Sequence, residues 1–142
     1  MCWIDVLSNK PHIYFGDLDG KLWVIDTAGN INPNNWTTFP FQASGPIHSQ
    51  PIVYNNVVYF GCDDGSFYAV NKNTGEVIWT YNVGSPIFSL PSISTVDDVV
   101  AIGTTGGKVY CFNLTAAKSK SDKHSRENKN KQLRKLFRIL KH

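Results

Sequence analysis

Short runs of β-branched and aromatic residues alternate along the chain with clusters of turn residues. VVYFG (57–61) and SFYAVN (66–71) have strand composition, and an Asp-Gly pair lies between them. The same pattern predicts about eleven strands, near 2–7, 12–16, 21–26, 36–41, 48–54, 57–62, 66–71, 77–82, 88–94, 98–103 and 107–113. The pairs Asp19-Gly20, Asp64-Gly65 and Gly106-Gly107 mark tight hairpins, because each turn needs a residue with positive φ.

The segments repeat. YFGDLDGKLWVID (14–26), YFGCDDGSFYAVN (59–71) and AIGTTGGKVYCFN (101–113) align without gaps, and their first glycines are Gly16, Gly61 and Gly103. In the strands after the turn, Leu22, Phe67 and Val109 share one face with Val24, Ala69 and Cys111. Trp23, Tyr68 and Tyr110 share the other with Ile25, Val70 and Phe112. Both faces are apolar, whereas a sheet with one wet face alternates apolar and polar positions. Such sheets belong between two neighbours, as in four-stranded blades stacked radially. The expected fold class is all-β: an incomplete β-propeller of two to three four-stranded blades over residues 1–115. Faces carrying Trp23, Ile25, Tyr110 and Phe112 are not all expected to be covered in so short an array.

The segment AVNKNTGEVIW (69–79) resembles the A-x-D-x-x-T-G-x-x-x-W signature of the pyrroloquinoline-quinone-type propeller repeat. Ala69, Thr74, Gly75 and Trp79 match, and Asn71 stands where Asp is usual. The first repeat keeps a degenerate version, with Asp26, Gly29 and a displaced Trp36; the third ends without a tryptophan. The resemblance implies that Trp79 docks on the neighbouring blade and that Thr74-Gly75 turns into the outer strand. It implies that Gly16, Gly20, Gly61, Gly65, Gly103 and Gly107 are architectural too. The ending GGKVYCFNL also looks like the close of the propeller in β-alanine-activating, acyl-adenylate-forming enzymes.

Little of the sequence points to catalysis. Quinone-binding members of the family resemble larger, eight-bladed propellers with a calcium site and often an adjacent disulfide. Cys2, Cys62 and Cys111 form no such pair. Asp17-Leu18-Asp19-Gly20 lacks the further oxygen ligands of a calcium loop. His48 and Ser49 are adjacent on an expected strand and point to opposite faces. No catalytic, cofactor or metal residue is assigned, and no cofactor is expected.

Charge divides the chain. Residues 1–115 carry four basic and nine acidic side chains, a formal −5; residues 116–142 carry ten basic and two acidic, a formal +8. The 116–142 tail opens as a low-complexity polar run. A helix is expected within 126–141, where Leu133, Leu136, Phe137 and Leu140 fall at helical spacing and Arg134, Lys135, Arg138 and Lys141 lie elsewhere on the wheel. Such a helix fits an anionic membrane surface, an acidic protein or the acidic body of its own chain. Nucleic acid is not expected, since no aromatic stacking platform accompanies the charge. With no signal sequence at its start, the chain is expected to be cytoplasmic, or periplasmic or secreted if a segment precedes it.

The expected function is therefore a non-catalytic repeat module. It acts by protein–protein interaction, by self-association that completes the propeller, or as part of a larger propeller. The alternatives are the propeller region of a cytosolic acyl-adenylate-forming enzyme and a fragment of a quinoprotein dehydrogenase.

Overall fold

The computed structural model describes residues 11–114 and the strand Cys2–Asp5. Eleven strands are present among these residues. They are β1 (Cys2–Asp5), β2 (His12–Gly16), β3 (Lys21–Asp26), β4 (Phe41–Gln42), β5 (Ile52–Tyr54), β6 (Val57–Gly61), β7 (Ser66–Asn71), β8 (Val77–Asn82), β9 (Ser92–Ser94), β10 (Val99–Gly103) and β11 (Val109–Asn113). They form antiparallel sheets in the orders β1-β2-β3-β4, β5-β6-β7-β8 and β9-β10-β11. These are blades one, two and three of an incomplete propeller. Blade three has no fourth strand among the described residues.

The strands expected at 36–41, 48–54 and 88–94 are mostly irregular chain: only 41–42, 52–54 and 92–94 pair. Proline explains much of this. Pro40, Pro51 and Pro91 interrupt these segments, and none can donate to a ladder.

Stacking buries blade two on both sides. One cluster joins Tyr14, Leu22, Val24 and Trp36 of blade one to Val58, Phe60, Tyr68 and Val70 of blade two. The other joins Val57, Tyr59, Phe67 and Ala69 of blade two to Val100 and Ile102 of blade three, with Tyr110 and Phe112 packed against it. Each blade thus has a front, toward the next blade, and a back, toward the previous one. Tyr110 and Phe112 lie on a back and are covered by blade two; Phe112 stacks on Phe67 with ring centroids 5.3 Å apart. Of the faces not all expected to be covered, this one is covered within the chain, while Trp23 and Ile25 lie on the other. The open face of blade three is the opposite one, carrying Val109 and Cys111.

The connections between blades act as staples. Ile47 N–H donates to Asp17 C=O (2.9 Å), and Asp63 N–H donates to Pro46 C=O (3.0 Å), so one connection grips hairpins of two blades. The next connection repeats this with Ile87 to Cys62 and Thr105 to Pro86. Ile47 lies directly over Gly16 and Ile87 over Gly61, where no side chain fits.

Trp36 makes the other link. Its indole Nε1 donates to Lys72 C=O (2.8 Å), which also accepts from Asn34 Nδ2 (2.8 Å). The ring lies on Gly75, where an added Cβ would come 2.6 Å from Cδ2, and Gly75 has φ +76°. Trp36 is 3% exposed. Trp79, expected to be the docking residue, is only partly buried. It packs on Phe67 and Phe112, and its Nε1 is buried without an acceptor. The docking role is thus most fully realised at the displaced Trp36. Trp36→Ala is expected to cost about 3–5 kcal/mol in denaturant melts, the range for deleting a buried large aromatic. A loss below about 1 kcal/mol would mean that the site collapses freely or that docking adds little.

Candidate functional site

The acidic and polar residues of the repeats are occupied by their own turns. Asp17 accepts from Lys21 N–H (2.8 Å) through one carboxylate oxygen and from Trp23 Nε1 (2.8 Å) through the other. Asp64 accepts from the N–H (2.8 Å) and hydroxyl (3.1 Å) of Ser66. Asn71 Oδ1 accepts from Asn73 and Thr74 N–H, and the Thr74 hydroxyl donates to Glu76. Gly20, Gly65 and Gly107 take φ of +80°, +89° and +73°, while Asp19 and Asp64 do not take positive φ. Among the described residues, no group of three or more His, Cys, Asp or Glu is placed to hold a metal ion.

These bonds set the titration of the turns. Desolvation opposes ionisation of Asp17 and Asp64. At Asp17 the bonds from Trp23 and Lys21 outweigh it; at Asp64 those from Ser66, Cys62 and Ser44 do. Both carboxyls are held below the ordinary value. Asn30, through side chain and backbone, does the same for the exposed Asp26. Burial pushes the Cys62 thiol up to about 11, so it stays protonated and unreactive at neutral pH.

Two kinds of surface remain. The first is the end of the blades that carries the β6–β7 and β10–β11 turns. There His48 Nδ1 lies 2.9 and 2.8 Å from the two carboxylate oxygens of Asp63, and its ring centroid is 5.1 Å from that of Phe88. Ser49 is buried although residues 48–49 form no strand, and its hydroxyl donates to Ser89 C=O (2.9 Å). Phe88 is 50% exposed and borders a cleft of about 280 Å³, also lined by Ser89, Gly103, Thr104 and Thr105. Sequence reasoning missed the His48–Asp63 pair, since fifteen residues separate the two.

The second kind is the open blade face. On the back of blade one, Ile13, Phe15, Trp23 and Ile25 align with Val58, Phe60, Tyr68 and Val70 on the back of blade two. The blade-two residues are 0–7% exposed, whereas none of the four in blade one is fully buried. On the front of blade three, Val99, Ala101, Val109 and Cys111 align with the buried Val57, Tyr59, Phe67 and Ala69. Val109 is 57% exposed. The tail residues Leu133, Arg134, Lys135, Leu136, Phe137, Arg138 and Leu140 lie outside the described residues.

Two outcomes are expected of the turn carboxylates. A carboxyl with a lowered folded pKa stabilises the fold while it is ionised. That contribution is complete above its unfolded value of 3.8 and is lost as pH falls through the folded value. The melting temperature should therefore fall on acidification below about pH 4, and Asp17→Asn should flatten that fall. Stability that rises with acid over this range would contradict the assignment. Calorimetric titration with calcium should show no saturable heat; a micromolar site lost in Asp64→Asn would make Asp64 a ligand.

The architecture and the repeat motif both have counterparts in known proteins. The chain is 33% identical over 64 residues to outer membrane protein assembly factor BamB of Shewanella oneidensis, covering 44% of this chain and 16% of that protein. It is 42% identical over 52 residues to quinoprotein ethanol dehydrogenase of Pseudomonas putida, covering 37% of this chain and 8% of that protein. Each match spans less than a fifth of the relative. The crystal structure of BamB from Moraxella catarrhalis superposes with a TM-score of 0.57 at 18% identity, over 77% of this chain and 32% of that one, and shares the fold. Neither curated relative is an acyl-adenylate-forming enzyme, so that part of the resemblance gains no support. A family profile described as "Outer membrane protein assembly factor BamB" (PQQ_2) matches residues 7–136. With most of its length matched, the chain belongs to this family of propeller-repeat proteins.

Proposed function

We propose that the chain is a non-catalytic propeller segment that works by protein association. Its principal contact is the back of blade one. The observation that carries this reading is the equivalence of Ile13, Phe15, Trp23 and Ile25 with four residues that blade two buries against its neighbour. A partner that fits presents a front face like those within this chain, with large side chains at the places of Tyr14 and Tyr59 and of Leu22 and Phe67. That partner is a blade of the same repeat type in another propeller protein, because the open front of blade three in a second copy carries Ala101 and Val109 at those places. Burying such a face removes apolar area from water at about 25 cal/mol per Å². The family's description as an assembly factor is in keeping with a protein partner.

The exposed Phe88 beside its cleft, with Leu90 46% exposed nearby, favours a second contact at the blade ends. The quinoprotein match supports kinship of the repeat and covers 8% of that enzyme's length.

Sedimentation velocity on the full chain at micromolar concentration, mixed with a propeller protein of the same repeat type that has a free front face, tests the main reading. The native chain is expected to cosediment with that protein, and Ile25→Lys to return the boundary to the unbound species without lowering the melting temperature by more than a few degrees. A native chain that sediments as a monomer, and that captures no blade-bearing partner through this face, would refute it.

A further inference from the structure

The two open faces are not alike. The back of blade one keeps the large residues of a stacking face, Phe15 and Trp23, with ring centroids 6.4 Å apart. The front of blade three has lost them: Ala101 stands at the place of Tyr14 and Tyr59, and Val109 at that of Leu22 and Phe67. Beyond Leu114 the repeat also breaks: blades one and two each carry a tryptophan after their hairpin, Trp36 and Trp79, and none follows here. A blade docking here would find neither the large side chains of the two internal seams nor the tryptophan latch of the first. The face is nonetheless apolar, with Val99, Ala101, Val109 and Cys111 side by side across β10 and β11.

We propose that residues 133–140 of the chain's own tail cover the front of blade three. The length and exit of the tail make this reachable. Leu114 N–H donates to Asp98 C=O (2.8 Å), so the tail starts at the edge of this same blade. Residues 115–132 then provide eighteen residues of link, with an expected end-to-end distance of about 20–25 Å for a flexible polar chain. That distance compares with the roughly 10 Å spacing of packed sheet faces. A tethered segment acts at an effective concentration near millimolar, ahead of a free partner.

Shape and charge fit as well. Leu133, Leu136, Phe137 and Leu140 form the apolar stripe expected of a helix, and bulky side chains suit a face that lacks its own. Arg134, Lys135 and Arg138 fall off that stripe and meet a body of formal charge −5, with Asp97 and Asp98 in the β9–β10 turn beside the tail's exit. Repeat arrays need a cap on a terminal apolar face, and the tail supplies one. The inference goes beyond the association reading, which concerns the opposite end of the stack.

Cys111 lies on the covered face and reports on it. The full chain carrying Cys2→Ser is labelled with a maleimide at fixed pH. Cys62 stays silent, being fully buried with its thiol pKa pushed up to about 11. Slow labelling of Cys111 is expected, at a rate independent of protein concentration. Leu136→Asp with Phe137→Asp should accelerate it at least about tenfold, the ratio for a face covered more than nine-tenths of the time. Arg134→Glu with Arg138→Glu is a second variant that leaves the apolar stripe intact; it should accelerate labelling several-fold at low salt and less at high salt. Fast labelling of the native chain overturns the proposal, as does protection that survives both double substitutions. Protection that grows with concentration also overturns it and assigns the face to a second copy. Ile25→Lys should leave Cys111 labelling unchanged, so failure here and failure of the association reading are read separately.

Discussion

The structure depends on one constraint: each blade is apolar on both faces and has no stable existence without a neighbour. Blade two shows it satisfied. All five residues of β6 and the first five of β7 are buried, because one alternating set of side chains meets blade one and the other meets blade three. Stability in such an array is the sum of weak units and the seams between them, so the seams decide whether the units fold. The conformational entropy of ordering a five-residue strand is several kcal/mol, and burial on both faces offsets it.

What fixes the seams is not apolar area alone, since area is non-directional. Direction comes from a few polar contacts that repeat with the blades. Ile47 and Ile87 lie over Gly16 and Gly61 while their N–H groups bond back to the preceding turn. Pro46 and Pro86 lend carbonyls to the next blade. Lys72 C=O accepts both Trp36 and Asn34. These bonds set the angle between sheets whose packing would otherwise tolerate sliding. The seam between blades two and three is weaker in this respect, because the Trp79 indole N–H is buried without an acceptor. Leaving such a group unsatisfied costs about 1–3 kcal/mol relative to a bonded one.

The repeat, the strands flanking each hairpin and the two-faced character of the sheets were legible in the sequence, because all three follow from local alternation and turn chemistry. The direction of stacking was not. Whether Phe112 meets solvent or blade two depends on which face of a sheet looks toward the next repeat, and alternation is blind to that. Irregular connections were misread as strand where apolar residues such as Phe88 and Leu90 precede a proline. The Asn55-Asn56 turn, with φ of 47° and 63°, joins β5 to β6 with only two residues and went unremarked. Trp36 looked like a degenerate copy of Trp79. Blade one carries extra residues before its short outer strand, and they bring the displaced indole onto Gly75, a contact that the repeat spacing conceals.

The asymmetry of the open faces bears on function more than any single residue does. A closed ring of equivalent blades has no ends, so every face is spent on its own stability. A partial stack keeps two, and selection can treat them differently. Here one end retains Phe15 and Trp23 at the positions of buried residues, and the other has traded tyrosine and phenylalanine for Ala101 and Val109. The first has the surface chemistry of a seam awaiting its second half. The second has the chemistry of a floor, smooth and apolar, beside a long basic tail. A two-fold dimer would require each surface to match itself, whereas these faces match different things. On the two proposals made above, association would involve the end that kept its aromatic residues, and the tail would terminate the other.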